Sequence, residues 1–163
     1  MSYRSWRASQ RKRLVEMEYL RDVATWTWWV TLTYGGWVPR DRARLTLRSW
    51  LSGIARDLVG DHVFVAWVLE PNRRGVDHGH VLLSVPEGRT LERDAAEALW
   101  RRLDPLAGFT QMVRYRHGGS SDPRFGAAAY LGDKADWNVT VACNRALPCR
   151  RKRGCTELSG PWF

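Results

Sequence analysis

Lysine is scarce in this chain. Of its 26 basic residues only three are lysine (Lys12, Lys134 and Lys152), which leaves 23 arginines. Acidic residues are also in deficit, 17 against 26, for a net charge of +9. Arginine grips phosphate through a planar two-pronged fork and stacks on flat groups, so such a surplus suits nucleic acid, although coding bias in a GC-rich genome also enriches it. The basic residues bunch at Arg11-Lys12-Arg13 and at Arg150-Arg151-Lys152-Arg153, which favours a polyanion partner. Neither cluster lies on a strongly apolar amphipathic helix, and no apolar run can span a bilayer, so a membrane role is not expected. Cysteine is nearly missing too. Cys143, Cys149 and Cys155 are odd in number and contain no C-x-x-C pair, which excludes a disulfide framework and argues against zinc. Free thiols in a reducing cytoplasm are expected, the more so because the first residues run into charge rather than a secretory apolar stretch. There is no G-x-x-x-x-G-K-[ST] loop, which excludes an ATP-driven motor of that type.

What is present reads as one domain over residues 1–163, with a basic N-terminal helix at about 9–23 and a basic tail at about 145–163. Trp26 to Tyr34 is aromatic and β-branched and ends at Gly35-Gly36, the pattern of a strand. Its expected core face is Trp26, Trp28, Val30, Leu32 and Tyr34; Thr27, Trp29, Thr31 and Thr33 make a semi-polar face. A helix is expected from about Arg42 to Val59, with Leu47, Trp50, Leu51, Ile54 and Leu58 inward. Thr90 is the expected cap of another helix, running to about Leu103 with Ala95, Leu99 and Leu103 inward. Phe109 to Arg116 alternates as a strand. Asp122-Pro123 opens a third helix to about Asp136, and a last strand covers about Asn138 to Asn144. Strand, helix, hairpin, helix, strand, helix, strand, joined by short connections, predicts an α+β domain: an antiparallel sheet with flanking helices, ferredoxin-like in type.

The hairpin carries the chemistry. His78-Gly79-His80 precedes Val81-Leu82-Leu83-Ser84-Val85. Residues two apart in a strand share a face, so both imidazoles aim at one point while Val81, Leu83 and Val85 aim into a core. The preceding strand, Val63 to Leu69, ends in Glu70. The short polar link Pro71 to Asp77 returns the chain, so Glu70 comes back beside the histidines. Two imidazoles and a carboxylate can hold a divalent metal and leave part of it open to substrate.

The third helix presents Tyr130 and Lys134 four residues apart, hence on one face, with small residues at 127–129 that allow close approach to a sheet. A phenol needs local positive charge to act as a nucleophile, and Lys134 could supply it or hold a phosphate oxygen.

Three motifs in order resemble those of the HUH endonucleases, specifically the single-tyrosine rolling-circle replication initiators of viruses, phages and plasmids. Trp28 to Tyr34 is similar to the family's F-T-L-T strand. His78-Gly79-His80 with Val81-Leu82-Leu83 looks like the histidine motif, with Glu70 in the place of the acidic third ligand. Tyr130 with Lys134 resembles the Tyr-x-x-Lys motif. Two departures stand out: Gly79 where the family carries a bulky residue, and a Tyr–Lys spacing of four, which puts Asp133 at the usual Lys position as a possible metal-approaching or orienting group. The resemblance implies an HUH-type nuclease fold and a metal-dependent single-stranded DNA endonuclease and strand-transferase. It would use Mg²⁺ or Mn²⁺ at Glu70, His78 and His80, and join the 5′ phosphate to Tyr130. Arg73 and Arg74 in the hairpin loop, with Arg114 and Arg116 on the later strand, are the candidate DNA contacts. Single-stranded DNA or an origin hairpin is the expected partner, with helicase and polymerase separate. A tyrosine transposase or relaxase would keep the chemistry. A two-His, one-carboxylate iron oxygenase does not match the element order. A non-catalytic basic DNA-binding regulator is the alternative of another class.

Overall fold

A computed structural model describes residues 15, 18–20, 22–115, 126–132 and 138–142. Lys134, Asp133, Arg116, the three cysteines, both basic clusters, most of the N-terminal helix, the ends of the third helix and the basic tail lie outside these residues. The elements come in the expected order: β1 (Trp28–Tyr34), α1 (Arg40–Gly53), β2 (Val63–Pro71), β3 (Asp77–Ser84), α2 (Arg93–Leu103), β4 (Ala107–Arg114), α3 (Ala127–Gly132) and β5 (Asn138–Ala142). The five strands form one sheet in the order β4-β1-β3-β2-β5, with every neighbouring pair antiparallel. This is an α+β architecture. Among the described residues no helix is long and apolar enough to cross a membrane.

Among the described residues the two faces of the sheet are covered unequally, and the sequence explains why. One face is a continuous apolar surface: Trp28, Val30 and Leu32 from β1, Val63, Val65, Trp67 and Leu69 from β2, and Val81 and Leu83 from β3. Helix α1 packs here through Leu47, Trp50 and Leu51, and α2 through Ala96, Leu99 and Trp100. The opposite face carries a smaller core of Leu20, Trp26, Ala66, Val68, Leu82 and Leu131. Strand β2 lies between both cores, which is why it reads as a nearly unbroken apolar run rather than an alternation. On β4, Met112 and Thr110 turn inward, while Phe109 and Val113 on the second face are 59 % and 43 % exposed.

Several local expectations change. Strand β1 starts at Trp28, so Trp26 is not bound by its alternation: it packs in the second core, where its indole N–H donates to the Leu20 carbonyl at 2.5 Å. The long helix passes at Ile54–Val59 into a wider π-helical turn, closed by Gly60 at φ 68°. That turn brings Ala55 and Val59 inward and leaves Leu58 only partly buried. Helix α2 begins at Arg93 with no side-chain cap, so Thr90 is not its cap, and Trp100 with Ala96 faces the core in place of Leu103 and Ala95. Gly108 is required by a close approach: a Cβ there would lie 2.5 Å from the Thr33 hydroxyl, beside an irregularity in the β1–β4 pairing.

Candidate metal centre

The β2–β3 hairpin builds the site. Its turn is held by Asn72, whose Oδ1 accepts from the Arg74 and Val76 amides at 2.8 and 3.1 Å, with Gly75 at φ 74°. Arg40 fastens the hairpin base from the other side, pairing with Asp77 at 3.3 Å and donating to the Leu69 carbonyl at 3.0 Å. The register follows: Glu70 stands directly opposite His78, and His80 lies two residues on, opposite Val68 on one side and Thr31 on the other. All three ligand candidates therefore project from the second face. One ligand atom from each of Glu70, His78 and His80 falls within 4.8 Å of the others. All three are half-buried, and His80 Nε2 lies 3.6 Å from Glu70 Oε2.

The donor set suits a divalent cation: one carboxylate oxygen and two imidazole nitrogens from adjacent strands, leaving part of the coordination sphere for a substrate oxygen. A second observation supports the fit. The His78 Nδ1 atom is buried and has no hydrogen-bond partner among the described residues. A buried orphan of this kind costs on the order of 1–3 kcal/mol unless something else engages it, and a bound ion anchored on the neighbouring ligands is one such partner.

Tyr130 reaches this cluster from α3. The helix lies against β2 and β3, with Leu131 fully buried in the second core and Ala127 packed on it. Tyr130, next to Leu131, is left 39 % exposed and directed at the ligands. Its hydroxyl donates to Glu70 Oε2, and its ring meets His80 edge-on at 5.0 Å and Trp29 edge-on at 5.9 Å. Trp29 in turn lies flat on His80, centroids 5.2 Å apart and planes 4° from parallel.

Four of the expected site residues thus come together: Glu70, His78, His80 and Tyr130. Arg73 and Arg74 are exposed in the hairpin turn, next to Glu70 in the chain. Arg114 does not join them. Its guanidinium sits 4.0 Å above the Trp28 ring, and Trp28 belongs to the sheet face opposite the histidines. Gly79 is explained by its neighbours: its place is closed in by Leu47, Leu69 and Leu32, 3.6–3.7 Å from where a Cβ would stand. Sequence reasoning puts Trp29 and Thr31 on a semi-polar face that could meet backbone or ligand, but ties neither to His80. The signal available was register, since an antiparallel partner of the histidine strand must place one side chain directly across from His80. Comparison of the chain with protein-family models, with curated proteins and with solved structures finds no match.

Proposed function

We propose that this chain is an HUH-type endonuclease of the single-tyrosine initiator kind, which cuts single-stranded DNA and keeps the new 5′ phosphate on Tyr130. The observation that carries this reading is the meeting of Tyr130 with the two-histidine, one-carboxylate cluster. A phenol sixty residues away in the chain is hydrogen-bonded to Glu70 and packed on His80. The element order β-α-β-β-α-β with strands ordered 4-1-3-2, β5 being added beside β2, supports a ferredoxin-like fold of the family's type.

Glu70, His78 and His80 would hold Mg²⁺ or Mn²⁺, which when bound supplies positive charge against the scissile phosphate. The rest of the chemistry belongs to side chains. The Tyr130 oxygen bonds to phosphorus as the bond from phosphorus to the 3′ oxygen breaks. Its phenol O–H is directed at the Glu70 carboxylate, the acceptor at hand for the proton Tyr130 must lose. The leaving 3′ oxygen takes up a proton and becomes a free 3′-OH, able to prime synthesis; attack by a 3′-OH on the phosphotyrosine rejoins strands. Arg73 and Arg74, exposed in the hairpin turn, would hold neighbouring phosphates. Unwinding and synthesis belong to separate proteins.

The test is incubation of the full chain with a pool of short single-stranded DNAs and Mn²⁺, followed by denaturing electrophoresis. A covalent adduct is expected, lost in excess chelator and in the H78A/H80A double variant, while most DNA binding remains because phosphate contacts by arginine persist. Binding without an adduct would instead favour a non-catalytic basic regulator. An adduct that survives chelation would remove the metal from the reading.

A further inference from the structure

The polar side of β1 carries two threonines, Thr31 and Thr33, and Thr27 stands just before the strand. Thr27 and Thr33 hydroxyls donate to backbone carbonyls, Leu83 O at 3.0 Å and Phe109 O at 2.9 Å. Thr31 differs: its hydroxyl oxygen lies 3.1 Å from Nδ1 of His80. The contact is built into the sheet, because Thr31 is the direct cross-strand partner of His80. The other ring nitrogen, Nε2, lies 3.6 Å from Glu70 Oε2, on the side of the ligand cluster. The two nitrogens of this imidazole are thus divided between a hydroxyl and the candidate metal site.

We infer that Thr31 is a positioning residue that accepts the Nδ1 hydrogen of His80 and so leaves the Nε2 lone pair to bind a divalent metal. A neutral imidazole has one hydrogen and one ring lone pair. If Nε2 is the ligand, Nδ1 must carry the hydrogen and needs an acceptor, and Thr31 supplies it at hydrogen-bond distance. Partners of this kind fix both tautomer and ring plane, and their removal typically weakens metal binding about 10–100-fold. Trp29, flat on the same ring, limits its rotation from the side. The inference rests on the metal-site reading above, and its test is arranged so that the two fail separately.

The test uses the full chain and two probe ions: Mn²⁺ by calorimetric titration and Zn²⁺ by competition with a chromophoric chelator. Thr31→Val keeps the β-branched shape that suits the strand and removes the acceptor; Thr31→Ser keeps the hydroxyl. Thr31→Val is expected to bind both ions about 10–100-fold more weakly than the parent, and Thr31→Ser within about threefold of it. Equal affinity in Thr31→Val and the parent overturns the inference and leaves the metal site standing. A parent that binds neither ion, or a Glu70→Ala variant that binds like the parent, overturns the site itself and the inference with it. A second measurement does not depend on the variant folding. Two-bond ¹H–¹⁵N spectra of the Zn²⁺-loaded parent should show His80 protonated at Nδ1; protonation at Nε2 overturns the inference.

Discussion

Replacing Tyr130 with phenylalanine separates chemistry from packing, because only one oxygen is lost. The ring contacts, edge-on to His80 at 5.0 Å and to Trp29 at 5.9 Å, need no hydroxyl. What disappears is the hydrogen bond to Glu70. A buried hydrogen bond to a charged group contributes about 1.5–3 kcal/mol, but Tyr130 is 39 % exposed, so water can replace either partner and the net loss is about 1 kcal/mol or less. For a chain of this length that corresponds to a fall in Tm of about 2–4 °C. Tyr130→Phe should therefore fold, melt close to the parent and retain single-stranded DNA, yet form no covalent adduct. Thermal melting by circular dichroism and denaturing gels read the two halves, and mass spectrometry of the parent adduct should place the nucleotide on the peptide containing Tyr130. The other described tyrosines offer poor substitutes. Tyr34 is buried, donates to the Ala43 carbonyl at 3.2 Å, and has its phenol pushed up to about 12 by burial, with the Asp104 carboxylate adding to the shift. Tyr115 packs against the second core, and Tyr19 precedes β1, far from the ligands in the chain. An adduct on Tyr130→Phe at the parental rate, or one mapped to another residue, would refute the nucleophile assignment. A loss of more than about 10 °C in Tm would refute the claim that the hydroxyl carries little of the stability.

Two predictions concern the frame around the site. At Gly79 an added methyl meets Leu47, Leu69 and Leu32 at ordinary contact distance, so Gly79→Ala should be neutral or stabilising by up to about 1 kcal/mol in urea unfolding, whereas Gly79→Leu should cost about 1–3 kcal/mol by overpacking; a Gly79→Leu variant as stable as the parent would show that the pocket is not closed. Burial pushes the Asp104 carboxyl up, but two Arg42 hydrogen bonds at 2.8 Å, the Leu106 amide, the Arg42 charge and the Thr46 hydroxyl together hold it below the usual carboxylate range. A lowered native value means stability that is present above about pH 4 and lost as pH falls through the native pKa, so Asp104→Asn should be less stable than the parent at pH 7 and lose less on acidification below pH 4; parallel stability–pH curves for the two proteins would exclude this role.

Much of the site was legible because its parts are fixed by local rules. The two-residue period of a strand puts His78 and His80 on one face, and a short polar turn returns Glu70 to them; the observed Glu70–His78 pairing is the outcome of those two rules. The less legible parts depend on which strand lies beside which. Nothing within residues 26–34 says that Thr31 will face His80, since that requires β1 to pair with β3 rather than with β2. The face on which Arg114 stands is hidden for the same reason: its alternation is clear, but that it turns away from the histidines is decided by its register with Trp28. Trp26 shows the reverse failure, an alternation extended two residues beyond the strand that enforces it. The π-helical turn at Ile54–Val59 shifts a helical pattern that the 3.6-residue period alone describes as uniform.

Under the proposed function, the position of the cluster on the sheet reconciles two demands that pull apart. Metal-binding imidazoles need packing that fixes their orientation, and a nucleophile needs access. Among the described residues, cover on the second face is closest over the middle of β2, where Ala66 and Val68 are buried, and thins toward β4, where Phe109 and Val113 are exposed. The histidine strand lies between these limits, with its Leu82 under the second core and His80 already bordered by the semi-polar side of β1. Helix α3 reaches just far enough to bury Leu131 and leave Tyr130 at the rim. Full cover would make the phenol inaccessible, and no cover would leave His80 without the edge-on Tyr130 that, with the stacked Trp29 of β1, holds its plane. On β1 the side next to His80 is threonine-rich and the opposite side apolar, so the ligands stand where apolar cover gives way to polar groups.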